Sequence, residues 1–72
     1  MELIRNKASG KFFILLDDSG GSDILVITPE GKLKRLERCL FAALDFVDPD
    51  EAVRNKRLTK KQVEAYSEFE DA

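Results

Sequence analysis

The chain has 72 residues, 14 acidic and 12 basic side chains, no histidine, one cysteine and a formal net charge of -2. That length makes a single domain, residues 1–72, with no room for a second. Lack of histidine removes the commonest general base and metal ligand, so neither an enzyme nor a cofactor site is expected, and the acidic balance argues against a dedicated nucleic-acid binder.

Leu3 and Ile4 open the first expected strand, and Asn6-Lys7-Ala8-Ser9-Gly10 reads as a turn. Phe12 to Leu16 is the second strand. Phe12, Ile14 and Leu16 point one way and Phe13 and Leu15 the other. Both faces are apolar, so this strand belongs inside a sheet that is covered on both sides. Asp17 to Asp23 is an acidic loop around Gly20-Gly21, and Ile24 to Ile27 is a third strand with two apolar faces. Thr28-Pro29-Glu30-Gly31 fits a type I turn followed by a left-handed glycine, which makes a three-residue hairpin loop.

Residues 33–46 admit two readings. Lys32 to Leu36 reads as a fourth strand, with Leu33 inward and Lys32 and Lys34 outward; Glu37 to Phe41 is then a short turn and Ala42 to Val47 a fifth strand. Leu33, Leu36, Leu40, Leu44 and Val47 also recur at helical spacing. The strand reading is preferred, because Gly31 at the third position of such a helix costs about 1 kcal/mol relative to alanine.

Two helix starts follow. Asp48-Pro49-Asp50-Glu51 has a capping residue with proline at the first helical position, but only Ala52 and Val53 follow to be buried, so the helix is short. Thr59 and Gln62 have the spacing of a capping box, with Leu58 and Val63 placed as a hydrophobic staple. Val63, Tyr66 and Phe69 mark one stripe of that helix, which runs to about Glu70. Lys60 and Lys61 at its start and Glu68, Glu70 and Asp71 at its end oppose the macrodipole, so it must dock on something to persist.

Candidate sites are few. Cys39 is read as a small, half-buried residue, and Asp17, Asp18 and Asp23 lack the ligand spacing of a calcium loop, so no metal is assigned. Val63, Tyr66 and Phe69 are the candidate partner-binding stripe, with packing on the chain's own sheet as the alternative. If the stripe serves a partner, residues 1–57 should fold alone. Lys32, Lys34, Arg35 and Arg38, with Arg54, Lys56, Arg57, Lys60 and Lys61, are the candidate nucleic-acid contacts; edge-strand lysines and a solvated helix joint are the competing explanation. No apolar run is long enough to span a bilayer, no signal peptide is expected after Met1-Glu2, and a lone cysteine fits a reducing cytoplasm.

The Gly10-Lys11-Phe12 lead-in to a strand, the Leu25-Val26-Ile27-Thr28-Pro29-Glu30-Gly31-Lys32-Leu33 hairpin and the Leu40-Phe41 pair resemble bacterial SH3-like small-barrel domains of uncharacterised function. The resemblance covers about two thirds of the chain, Glu2 to Val47. It implies a binding module for peptide, RNA or ribosomal partners within a larger assembly. The chain lacks the aromatic cluster that ligand-binding members carry at a loop mouth.

The expected architecture is α+β. A strongly bent antiparallel sheet or SH3-like barrel of four to five strands fills 1–47, and one or two short helices fill 48–72. The expected role is a non-enzymatic interaction module, protein-binding or regulatory. Its partner is an unidentified protein or a second copy of the chain; weak RNA or DNA binding is one alternative and a homo-oligomeric structural unit the other.

Overall fold

The structure, a computed structural model, describes residues 1–19, 21–46 and 48–71, with backbone alone at 43–46 and 49. Gly20 of the acidic loop and Val47 of the expected fifth strand lie outside the described residues. In chain order the elements are β1 (Glu2–Asn6), β2 (Phe12–Asp17), β3 (Asp23–Ile27), β4 (Leu33–Glu37), a 3-10 turn (Arg38–Leu40), β5 (Phe41–Phe46), α1 (Pro49–Arg54) and α2 (Lys60–Asp71). Residues 33–46 are therefore strand, turn and strand, and the helical spacing of their leucines is not used.

All pairings are antiparallel, and the strand order is β4-β3-β2-β1-β5. The sheet is open, with β4 and β5 at its two edges. Only the three-residue 3-10 turn joins those edges. In a flat sheet they would lie four strand spacings apart, about 19 Å. The step from Glu37 to Phe41 spans at most about 14 Å even when fully extended. The sheet must therefore curl, and the side chains agree. Leu36 of β4 and Phe41 of β5 join one apolar cluster with Ile4, Ile24 and Val26. The Phe13 and Phe41 rings meet edge to face within that cluster, 5.0 Å between centroids.

The other face is closed by the C-terminal segment. Leu3, Ile14 and Ile27 are buried there with Ala52 and Leu58, flanked by Phe12, Leu16, Val63 and Tyr66. The alternation expected along β2 is thus present: Phe12, Ile14 and Leu16 serve the helix-covered face and Phe13 and Leu15 the concave one. Leu33 departs from expectation. It lies across from Ile27 on β4 but stays 49% exposed, on a strand at the edge of the sheet.

Turn and cap chemistry explains how the layers register. The β3–β4 hairpin closes through Thr28 and Lys32, with Gly31 at φ +83°. A Cβ at Gly31 would stand 2.9 Å from the carbonyl oxygen of Lys61, so glycine serves both the turn and the close approach of α2. At α1, Asp48 occupies the N-cap and Pro49 follows, but the Asp48 side chain makes no capping bond, which corrects the cap expected of it. At α2 the capping box forms in both directions. The Gln62 N–H donates to Thr59 Oγ1 at 3.2 Å, and the Thr59 N–H donates to Gln62 Oε1 at 2.9 Å.

Gln62 does more than cap. It is 1% exposed, and its Nε2 donates to the carbonyls of Phe12 at 2.9 Å and Ile27 at 3.4 Å. Replacement by leucine leaves the two carbonyls and the Thr59 N–H without this partner. Gln62→Leu is expected to lower unfolding free energy by about 3 kcal/mol in urea titrations. Gln62→Glu replaces the amide donor with a carboxylate oxygen facing the Phe12 and Ile27 carbonyls, so it should be destabilised at neutral pH and recover as acid protonates the carboxyl. Deleting residues 58–72 uncovers Leu3, Ile14 and Ile27, so fragment 1–57 should show no cooperative unfolding. A folded fragment would mean that α2 is dispensable.

Candidate functional site

The helix joint builds a concave surface at one end of the sheet. After α1, Asn55 is the C-cap and Lys56 takes φ +59°, a left-handed conformation. The Lys56 N–H donates to Val53 O at 3.0 Å and the Arg57 N–H to Ala52 O at 2.9 Å. This pair of bonds is a Schellman ending, and it turns Leu58 into the core. Lys56 and Arg57 are left on the outside of the turn, both exposed.

Opposite them stand Gly10, Lys11 and Phe12 at the start of β2 and Pro29 of the β3–β4 hairpin. With Leu58, Thr59 and Gln62 they enclose a groove of ≈ 430 Å³. Its two sides are tied together, since the Thr59 hydroxyl donates to Pro29 O at 2.9 Å while Gln62 binds Phe12 O. The Arg57 guanidinium carbon lies 5.3 Å from the centre of the Phe12 ring, a cation–π contact. Lys11 and Lys56 make no ion pair among the described residues, although Glu30 feels the charges of Lys11 and Lys34. Three basic residues thus line the groove together with apolar Phe12, Pro29 and Leu58, and no carboxylate lines it among the described residues.

Comparison of the chain with family models, curated proteins and solved structures finds no match. The groove has to be read from its own chemistry.

The nine basic residues singled out in the sequence are scattered. Lys34 and Arg35 are neighbours in β4 and therefore point to opposite faces. Lys32 sits in the hairpin, its N–H donating to Thr28 Oγ1 at 3.2 Å. Arg38 fastens the 3-10 turn to the acidic loop: Nη2 donates to the carbonyls of Asp18 at 2.8 Å and Gly21 at 3.0 Å, and Nη1 lies 3.6 Å from the Asp18 carboxylate. Arg54, Lys60 and Lys61 lie on exposed helix surface outside the groove lining. Lys56 and Arg57 alone of the nine line it, joined by Lys11, which sequence reasoning passed over. Lys11 stood next to a strand start, some 45 positions before Lys56, with nothing local to mark it.

The acidic loop is internally bonded. Asp17 Oδ1 accepts from the Ser19 N–H at 3.0 Å and the Ser19 hydroxyl at 2.7 Å. Those bonds, with the charge of Arg35, lower the Asp17 pKa. Among the described residues no three Cys, Asp or Glu side chains converge as metal ligands. A second hollow, ≈ 570 Å³, lies beside the 3-10 turn, where Cys39 is exposed rather than half-buried and its thiol faces Glu37 Oε2 at 3.6 Å. No helix among the described residues is long and apolar enough to cross a membrane.

Of the aromatic stripe, Val63 and Tyr66 pack on the sheet, while Phe69 is 40% exposed at the end of α2. Hydrogen bonding to Glu70, then burial and the carboxylate's charge, push the Tyr66 pKa up. Because the folded value is the higher one, this contribution to stability is complete below the unfolded value of about 10 and is lost as pH rises through the folded value. Ultraviolet titration should find tyrosinate forming above the ordinary midpoint, and Glu70→Ala should bring the midpoint back toward it. An unshifted wild-type curve would remove the Glu70 contact.

Proposed function

We propose that this chain is a small non-enzymatic interaction module that holds an acidic, partly apolar segment of a partner protein in the groove beside the α1–α2 joint. One observation carries the reading: Lys11, Lys56 and Arg57 line one groove with Phe12, Pro29 and Leu58, and no carboxylate is among its described lining residues. Carboxylates of an extended segment would meet the cations, and an apolar side chain between them would cover the floor. The groove's ≈ 430 Å³ falls within the range of roughly 300–1,000 Å³ typical of ligand sites. Complementary charge at such a rim mainly sets encounter rate and selectivity, and the apolar floor supplies residence.

The reading takes the curled sheet as an SH3-like small barrel left open between β4 and β5. Support comes from the strand order, from the 3-10 turn that links the edges, and from the cluster shared by Leu36 and Phe41. A non-catalytic role rests on the lack of histidine, and a cytoplasmic setting on a single exposed cysteine.

Nucleic acid is the competing ligand, since cations beside an aromatic ring also suit a phosphate backbone. The net charge of -2 and the division of Lys34 and Arg35 between faces weigh against it. Fluorescence anisotropy with a labelled glutamate-rich peptide bearing one phenylalanine, run beside a labelled oligo-dT, separates the two. The peptide should bind with affinity that falls as salt rises, and Lys11→Glu should weaken it about five- to ten-fold. Preference for oligo-dT, or peptide binding indifferent to Lys11→Glu, would defeat the proposal.

A further inference from the structure

The backbone at Lys56 is out of keeping with the rest of the chain. Among the described residues, Gly10, Gly21 and Gly31 are the glycines with positive φ, and Lys56 at +59° is the single residue of another type. A left-handed conformation brings Cβ against the backbone, and helix endings of this kind usually place glycine or asparagine there. The chain therefore uses glycine where a positive φ is needed, except at the helix joint.

The fold receives nothing visible in exchange. Lys56 is exposed, and its side chain makes no hydrogen bond or ion pair among the described residues. Its one bond in the turn comes from its backbone N–H, which glycine also has. Strain without structural compensation points to a job for the side chain. Lys56 is one of the residues that line the groove, together with Arg57 and Lys11.

We infer that Lys56 is the specificity-determining residue of the groove, a lysine kept at a glycine position so that its ammonium can hold a carboxylate of an acidic peptide. This rests on the reading of the groove as an acidic-peptide site. The Arg57 guanidinium lies over the Phe12 ring, so replacing Arg57 would disturb packing as well as charge. Lys56 is the cation whose replacement separates binding from folding.

The test pairs urea unfolding with anisotropy of the same labelled glutamate-rich peptide. Lys56→Gly should raise the urea midpoint, weaken the peptide about five-fold and flatten its salt dependence. Lys56→Asn, which tolerates the left-handed conformation without the charge, should weaken binding equally, and Lys56→Arg should retain it. If Lys56→Gly and Lys56→Asn bind as the unsubstituted chain does, the assignment of Lys56 falls while the groove reading stands. A lowered urea midpoint for Lys56→Gly would overturn the strain argument. If the unsubstituted chain does not bind the peptide at low salt, both readings fall.

Discussion

One side-chain amide holds this molecule in register. Gln62 closes the α2 capping box with its oxygen and, with its nitrogen, joins carbonyls of β2 and β3. The β2–β3 pairing begins at Ile14 and Ile27, so the amide bridges the two strands at the end of their ladder. A polar group buried this deeply is tolerable because every hydrogen-bonding direction it needs is met. It also fixes where the helix can sit. Sliding α2 by one residue would leave the amide and both carbonyls without these partners, a larger penalty than any single apolar contact along the helix.

That constraint acts on a thin core. A chain of this length buries only about 60% of its unfolded surface. Here the apolar residues are divided between two small clusters on opposite faces of one sheet. The concave cluster needs no covering layer, because the sheet curls to bring Leu36 and Phe41 together. The other cluster needs α1, Leu58 and α2. The helix ends therefore have to be specified closely, by the Schellman turn on one side of the joint and the capping box on the other. The groove is a consequence. Two backbone turns, Lys56–Leu58 and Thr28–Gly31, meet at the end of the sheet and cannot fill the space between them.

Charge follows the same economy of position. No acidic residue is among the described lining of this groove, although Glu30 beside Pro29 feels the charge of Lys11, and the cations that line it come from sequence-distant elements. The acids close to other cations are engaged elsewhere: Asp18 lies against Arg38, and Asp17 bonds Ser19 within reach of Arg35. A groove lined by basic residues on a chain of net negative charge carries a local charge opposite in sign to the whole.

Local chemistry by itself determined much of this. Glycine and proline placed the hairpins, two-fold alternation assigned the faces of β2, and the Thr59–Gln62 spacing marked the start of α2. Each signal acts over a few residues, so it is written in adjacent letters. Residues 33–46 stayed ambiguous because their leucines satisfy both periods, and pairing of β4 with β3 and β5 with β1 settled the matter. Which residues meet was decided by tertiary structure alone. Leu33 was expected inside and is half in solvent, because its strand has a neighbour on one side alone. Lys11 joins Lys56 and Arg57 only after Gln62 has docked α2 on the sheet. Burial, edge position and convergence depend on the packing of distant segments, for which a linear pattern carries no local signal.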